Sequence, residues 1–206
     1  MPSKSQLAII LSKLKQFDNP KIVLEQYSTE PEVAAAVLWF AFMQGDIQGK
    51  TIADLGCGPG IFGIGAAILG AKMVYFVDMD NYAINTTRDN ISQVEGMLEG
   101  VELELLKMNV AEFTKRVDVV LQNPPFGTKI KHHDRLFLSK AFEVADVVYS
   151  IHKITSKGFI EAFSRDNGFS VTHVLPYEMR LVRSMKHHKK PVVKVKVACW
   201  RLERRR

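Results

Sequence analysis

Thr51-Ile52-Ala53-Asp54-Leu55-Gly56-Cys57-Gly58-Pro59-Gly60-Ile61-Phe62-Gly63-Ile64 runs from an apolar, partly β-branched segment through a glycine turn into a second apolar segment. A strand that passes through glycines directly into a helix opens a β-α-β unit. Outward from it the alternation continues. The spacing predicts a helix over Ile61 to Leu69, strand Met73 to Asp78, helix Asn81 to Val94 and strand Val101 to Leu106. Strand Val117 to Gln122, a polar loop, helix Asp134 to Ala145, strand Val147 to Ile151 and helix Ser156 to Asp166 follow. Strands alternating with helices imply an α/β fold with a doubly wound, mostly parallel sheet. The end differs: Phe169 to Leu175 and Val192 to Leu202 are two strand-like runs joined by a basic connection, expected to pair antiparallel. Upstream, Leu7, Ile10, Leu11 and Leu14 stand at helical spacing behind Ser3 or Ser5 as cap, and that helix is expected to end near Asp18-Asn19-Pro20. Thr29, with Glu32 three residues on, reads as the N-cap of a second helix through Val33 to Met43, apolar all round and hence buried. No repeat, low-complexity tract or linker interrupts residues 1–206, so a single domain is expected, with helices in 1–49 as an N-terminal extension on a core of 50–206.

The glycine spacing selects the ligand. A dinucleotide loop reads G-x-G-x-x-G and aims a helix N-terminus at a pyrophosphate. Here the order is G-x-G-x-G, with Asp54 two residues before Gly56. A carboxylate there suits a cationic tail and repels a pyrophosphate. Asp78 ends the second strand, 24 residues after Asp54, where an acid can accept both hydroxyls of a ribose. Together these features favour S-adenosyl-L-methionine, with S-adenosyl-L-homocysteine as its product. Cys57 lies inside the loop, but no histidine gives a local sign of pairing with it, so it reads as a small loop residue rather than a nucleophile.

The fourth strand runs into Asn123-Pro124-Pro125-Phe126-Gly127-Thr128 at the C-terminal end of the sheet, where open α/β folds bind their ligands. Consecutive prolines stiffen this loop, so little ordering entropy remains to be lost when a substrate docks. The Asn123 amide and the Pro124 carbonyl can receive the two hydrogens of one NH2 group, and Phe126 offers a flat face to a base. An exocyclic amine is a poor nucleophile because its lone pair is delocalised into the ring. Hydrogen bonds from its N–H groups to two fixed acceptors favour a more tetrahedral nitrogen, and no strong general base is required.

Composition sets the remaining bounds. The 206 residues are 47% apolar, with 28 Lys plus Arg against 22 Asp plus Glu. Residues 180–206 hold 11 of those cations and one acid, net +10, whereas residues 1–179 are net −4. A local basic patch on a mildly acidic body is the footprint expected of polyanion binding. Two cysteines, Cys57 and Cys199, make neither a disulfide framework nor a zinc site and fit a reducing cytoplasm. The longest apolar run, Val33 to Met43, has 11 residues where a membrane helix needs about 20, and no export signal is read at the N-terminus. The six histidines include the doublets His132-His133 and His187-His188, but adjacent rings are poor chelates and both doublets lie among lysines. No metal is expected; contacts to phosphate or ribose are.

The two loops, about 65 residues apart and in this order, resemble those of class I S-adenosylmethionine-dependent methyltransferases that act on amino nitrogens. Leu24-Glu25-Gln26-Tyr27-Ser28-Thr29 and Val148-Tyr149-Ser150-Ile151-His152-Lys153 narrow the resemblance to the methyltransferase-like-five family of small-subunit rRNA adenine-N6 methyltransferases, across nearly the whole chain. Ser28, where proline is common, and Pro59, where many members have cysteine, depart from the pattern. The resemblance implies a Rossmann-like sheet of seven strands with the last antiparallel. It implies that Gln26, Tyr27 and Thr29 close over the cofactor, that Asp54, Gly56 and Gly58 line its methionine end, that Asp78 holds the ribose, and that Asn109 and Val110 meet the adenine. Cys57, Gly60, Met79 and Asn123 are counted with the same site. Asn123, Pro124, Pro125 and Phe126 would receive the target base, unstacked from its RNA. Lys129, Lys131, Lys153, Lys186, Lys189 and Lys190 are the expected RNA contacts. Eukaryotic members work with a small zinc-ribbon activator that adds a strand to the sheet edge, here the strand within 101–106. Methylation of guanine N2 in RNA or of a protein glutamine amide is the alternative, and a non-catalytic cofactor-binding subunit is a third.

Neutral replacements of Lys186, Lys189 and Lys190 are expected to weaken RNA binding and to flatten the slope of log K against log salt by roughly 0.7 to 0.9 per lost phosphate contact. An unchanged slope in a filter-binding salt series would place the RNA elsewhere.

Overall fold

The computed structural model describes residues 1–17, 29–125, 133–182 and 192–205. Among them are seven strands: β1 (Thr51–Leu55), β2 (Met73–Asp78), β3 (Glu102–Lys107), β4 (Val119–Gln122), β5 (Val147–Lys153), β6 (Phe169–Val182) and β7 (Val192–Arg204). Six α-helices accompany them: α1 (Lys4–Ser12), α2 (Pro31–Met43), α3 (Ile61–Ile68), α4 (Asn81–Gln93), α5 (His133–Val144) and α6 (Lys157–Asp166). The strands form one sheet in the order β3-β2-β1-β4-β5-β7-β6. The first five are parallel; β7 lies antiparallel between β5 and β6. The expected α/β class, doubly wound sheet and antiparallel end are all present.

Side chains alternate across the sheet, as strand geometry requires. Ile52, Val74, Phe76, Leu121 and Tyr149 face one layer with α1, α2 and α3. Ala53, Leu55, Val77, Val120 and Val148 face the other with α5. α2 buries Val33, Ala34, Ala35, Val37, Leu38 and Ala41, as its apolar circumference requires. Close approach in the first layer depends on small residues: a Cβ on Gly65 would lie 2.3 Å from the Leu38 side chain.

Three boundaries differ from expectation, each for a tertiary reason. Ser3 caps α1 in a reciprocal box with Gln6, but the helix stops at Ser12 instead of near Asp18. Beyond it the backbone finds other partners: Lys15 N–H donates to the Asn90 side chain at 2.8 Å, and Lys15 C=O accepts from the same amide at 3.0 Å. Thr29 is not the N-cap of α2. Glu30 occupies that position without a capping bond from its side chain, Pro31 opens the helix with no N–H to satisfy, and the Thr29 hydroxyl is engaged elsewhere. β6 runs seven residues past Leu175, through Pro176. It is an edge strand, where a missing N–H can face outward. The remaining ends shift by one or two residues; β3, for instance, spans Glu102–Lys107 rather than 101–106.

One buried ion pair ties the N-terminal helices to the C-terminal strands. Arg201 Nε donates to Asp46 Oδ2 at 2.8 Å, and the Tyr149 hydroxyl donates to the same oxygen at 2.6 Å. Burial first, and then the Asp46 carboxylate, push the Tyr149 hydroxyl far above the usual phenol range, so it remains a donor. Breaking a buried pair costs about 3 to 5 kcal/mol where one charge is left uncompensated, and Arg201 keeps Glu203 at 2.7 Å, which places the loss toward the lower end of that range. Asp46→Ala is therefore expected to lower the urea midpoint by that equivalent, with ligand affinity at the sheet's C-terminal edge nearly unchanged. A loss below about 1 kcal/mol would show the pair to be solvated.

Candidate active site

The strand order reverses direction between β1 and β4, and the crevice beyond their C-terminal ends is where such sheets bind ligands. Leu55 is in register with Gln122. The residues that follow, Gly56 and Asn123, therefore leave the sheet side by side, and the two sequence motifs meet at one place.

On the β1 side the glycine loop is fixed from below and from the flank. Asp54 is buried, and its Oδ2 accepts from Gly63 N–H at 2.8 Å. Burial lifts its carboxyl to about 7; the Gly63 bond opposes this and the Asp78 charge adds to it. Asp78, at the end of β2, accepts from Gly58 N–H at 3.0 Å through one oxygen and from Asp80 N–H at 2.9 Å through the other. Burial outweighs these bonds and raises its carboxyl as well. Each oxygen keeps acceptor capacity, since an ionised carboxylate offers about four lone-pair sites. Cys57 is buried and its thiol is pushed well above the usual range, first by burial and then by the charges of Asp54 and Asp78. A thiol held protonated is not a nucleophile.

The residues that hold this loop were not singled out from sequence. Thr87 Oγ1 donates to Gly58 C=O at 2.7 Å, and Asn90 Nδ2 donates to Pro59 C=O at 2.9 Å. Both are fully buried on α4. Gly60 adopts φ +86°, and a Cβ there would lie 2.7 Å from the Thr87 methyl. Phe17 lies over the loop, 3.2 Å from where a Cβ on Gly58 would stand, and stacks on Tyr82 with centroids 6.4 Å apart. A signal for the pair existed: Ile84, Thr87 and Ile91 share helical spacing, so Thr87, with Asn90 beside Ile91, lies on the buried stripe of α4.

Further along the crevice, Met79 is exposed after β2, Val110 is buried after β3, and the exposed Asn109 accepts from Ala111 N–H at 3.0 Å. On the β4 side, Pro124 is buried and Pro125 half-buried. Asn123 Nδ2 donates to Thr29 Oγ1 at 2.9 Å, while Asn123 Oδ1 is buried with no hydrogen-bond partner among the described residues. Behind them lies a chain of polar groups. Gln122 Nε2 donates to Ser150 Oγ at 3.0 Å, and Ser150 Oγ stands 2.6 Å from His152 Nε2. Burial lowers His152 to about 3, so the ring is neutral and shares one hydrogen bond with Ser150. His152 also packs edge-on to Trp200. It is a core residue; Lys153, next to it, is half-buried at the end of β5, and the doublets expected to meet phosphate or ribose, His132-His133 and His187-His188, lie outside the described side chains.

The structure thus brings Asp54, Gly56, Cys57, Gly58, Gly60, Asp78, Thr29, Asn123 and Pro124 to one edge of the sheet. Gln26, Tyr27, Phe126, Lys129, Lys131, Lys186, Lys189 and Lys190 lie outside the described residues. Among the described residues no group of three or more His, Cys, Asp or Glu could hold a metal ion, and no helix is long and apolar enough to cross a membrane.

Comparison with known proteins sharpens the picture. The family model of ribosomal protein L11 methyltransferase (PrmA) matches residues 37–124. The rRNA N(6)-adenosine-methyltransferase Mettl5 of Drosophila melanogaster is 35% identical over 91% of this chain and 90% of its own. The rRNA N(6)-adenosine-methyltransferase METTL5 of Danio rerio is 35% identical over 93% and 94%. The crystal structure of a candidate RNA methyltransferase from Pyrococcus horikoshii is 44% identical and covers 100% of both chains, with a TM-score of 0.91.

Asp54 makes the site pH-sensitive toward a cationic ligand. The ionised carboxylate attracts an ammonium and the protonated one does not, so affinity rises as pH rises through about 7. For S-adenosylmethionine, titration calorimetry is expected to show a gain of roughly tenfold between about pH 5.8 and 7.2, a range below the titration of an α-amino group. Asp54→Asn is expected to flatten this dependence. A flat profile in the unmodified protein would remove Asp54 from the ligand.

Proposed function

The chain belongs to the METTL5 family of rRNA N(6)-adenosine methyltransferases, and from that premise we propose how its own residues carry out S-adenosylmethionine-dependent methylation of an adenine N6 in small-subunit ribosomal RNA. The observation that carries this reading is Asn123 Oδ1, an acceptor buried at the rim of the crevice without a partner among the described residues. A buried acceptor left unmatched costs about 1 to 3 kcal/mol, and an incoming N–H group removes that penalty. Asn123 Oδ1 takes one hydrogen of the target amine and the Pro124 carbonyl the other, which turns the nitrogen lone pair toward the cofactor. Catalysis is then mainly positioning, and the extra proton leaves to water.

The crevice fits the cofactor. When bound, S-adenosylmethionine supplies a methyl group made electrophilic by its sulfonium. Asp54 faces the cationic methionine end, Asp78 accepts from the ribose hydroxyls, and the exposed Met79 with Val110 and Asn109 borders the adenine. Gln26 and Tyr27 belong to this set as proposals from the family pattern. Phe126 stacks on the target base, and Lys129, Lys131, Lys153, Lys186, Lys189 and Lys190 meet the RNA backbone. The β6–β7 hairpin supports this placement, because its connection carries the densest basic run of the chain.

A small zinc-ribbon activator at β3 is part of the proposal. β3 ends the sheet. Glu102 N–H and Met108 N–H point to β2, accepted by Lys72 and Asp78 carbonyls. By the two-residue period of a strand, the backbone groups of Leu103, Leu105 and Lys107 face outward as a template for an added strand. The site of action is the cytoplasm, in keeping with two free, buried cysteines.

The decisive test is transfer of labelled methyl to purified small-subunit RNA, with nucleoside digestion, in the presence and absence of the activator. N6-methyladenosine is the expected product. N2-methylguanosine would overturn the base assignment, and label confined to protein glutamine would overturn the RNA substrate. Asn123→Ala is expected to abolish transfer with cofactor affinity nearly intact. Asp78→Ala should weaken cofactor binding by about 1.5 to 3 kcal/mol through lost charge-assisted hydrogen bonds. Equal loss of affinity in both would contradict this division of labour.

A further inference from the structure

We infer that residues 13–17 form a wall of the cofactor site and that Asn90 is the positioning residue that sets this wall in place, so that cofactor affinity depends on how the N-terminal segment docks along α4. The inference rests on the reading of the glycine loop and Asp78 as the S-adenosylmethionine site. Two loops flank the ribose end of that site, the glycine loop after β1 and the turn after β2. They are joined where Gly58 N–H donates to Asp78 at 3.0 Å. Phe17 spans both. Its ring lies 3.2 Å from where a Cβ on Gly58 would stand, and it stacks on Tyr82, two residues past the Asp80 that caps α4. A ring packed against both loops fixes their separation before a ligand arrives, so less ordering is left to be done on binding.

Phe17 is set there through Asn90. Asn90 is fully buried on α4, and its amide bonds only main-chain groups: Oδ1 accepts from Lys15 N–H at 2.8 Å, and Nδ2 donates to Lys15 C=O at 3.0 Å and to Pro59 C=O at 2.9 Å. A main-chain N–H only donates and a carbonyl only accepts, so these neighbours allow one orientation of the amide. One side chain thereby ties the N-terminal segment, 75 positions away in sequence, to the glycine loop, 31 positions away. The same side of α4 holds the rest of the segment. Gln93 Nε2 donates to Lys13 C=O at 3.3 Å, Asp89 pairs with Lys15 Nζ at 2.9 Å, and Tyr82 carries Phe17. The Lys15–Asp89 pair is exposed and contributes little, whereas the buried amide cannot lose its partners without a penalty. Leu14, buried in the first layer, gives the segment its attachment, and Asn90 gives it its register against the loop. Docking of the segment and binding of the cofactor are then linked reciprocally, each favouring the other by the same factor.

The test is calorimetric affinity for S-adenosylmethionine in the full chain carrying Asn90→Ala, Phe17→Ala or both, with methyl transfer to small-subunit RNA measured at saturating cofactor. Asn90→Ala is expected to raise cofactor Kd roughly tenfold and Phe17→Ala about fivefold, with kcat within about twofold in each, because the methyl acceptor is held elsewhere, at Asn123. Since Asn90 acts through the segment, the two losses overlap, and the double variant is expected to bind within about twofold of Asn90→Ala alone. Independent effects would multiply to roughly fiftyfold and overturn the inference, because Asn90 would then act on the glycine loop alone. So would an unchanged Kd in Phe17→Ala, or a loss of kcat at saturating cofactor as large as the loss in Kd. Phe17 is half-buried, and Phe17→Ala carries the test by itself where Asn90→Ala does not fold. Asp46→Ala separates global stability from positioning, since it is destabilised with cofactor affinity expected to stay nearly unchanged. A rise in its Kd as large as that of Asn90→Ala would show that affinity follows stability, and the inference fails. Failure of the underlying reading shows separately, as an unchanged cofactor Kd in Asp78→Ala.

Discussion

Everything at the site depends on the parallel register between β1 and β4. Hydrogen bonding places Leu55 opposite Gln122 at the point where strand order reverses, so the loops after these two residues emerge at the same height. A slip of one residue would set Asp54 rather than Leu55 beside Gln122 and carry one strand's side chains into the wrong helical layer. The register is held by burial on both sides, since Ile52, Ala53, Leu55, Val119, Val120 and Leu121 are all within 1% of full burial. Core packing and site geometry are here the same constraint.

Buried polar groups then finish what the register begins. Thr87 and Asn90 reach from α4 to carbonyls of the glycine loop, and Asn90 also holds Lys15, which brings Phe17 over Gly58. Gln122, Ser150 and His152 form a neutral chain directly behind Asn123. Such groups add little net stability when satisfied and are costly when not, so their contribution lies in fixing one geometry. A loop whose carbonyls are tied to a helix needs little reorganisation on binding a ligand, which is the condition for catalysis by positioning.

How much of this could be read from the chain depends on the range of the interaction. Strand–turn–helix alternation is local, and the parallel core, both motif loops and the closing hairpin were legible for that reason. Asp78 was legible because an acid ending the second strand of such a unit has a defined place. Thr29 was not: its local context spells a helix cap, and only its long-range approach to Asn123 assigns the hydroxyl differently. Nor was the burial of His152: the alternation of β5 turns it into the layer with Trp200, where burial keeps it neutral. The early end of α1 followed from tertiary bonds to Asn90 that no propensity encodes. The pairing of Asp46 with Arg201 spans 155 positions and joins two charges that carry no local mark.

The sheet order also separates the two macromolecular contacts proposed for this protein. β3 forms one edge and the β6–β7 hairpin the other, with the reversal point of β1 and β4 between them. A strand added at β3 extends the sheet without covering the C-terminal crevice, because augmentation grows in the sheet plane while ligands enter at the strand ends. The basic run of residues 183–190 stands in the sequence between β6 and β7, which pair at the opposite edge. As proposed, an activator strand on β3 would leave the crevice free for RNA.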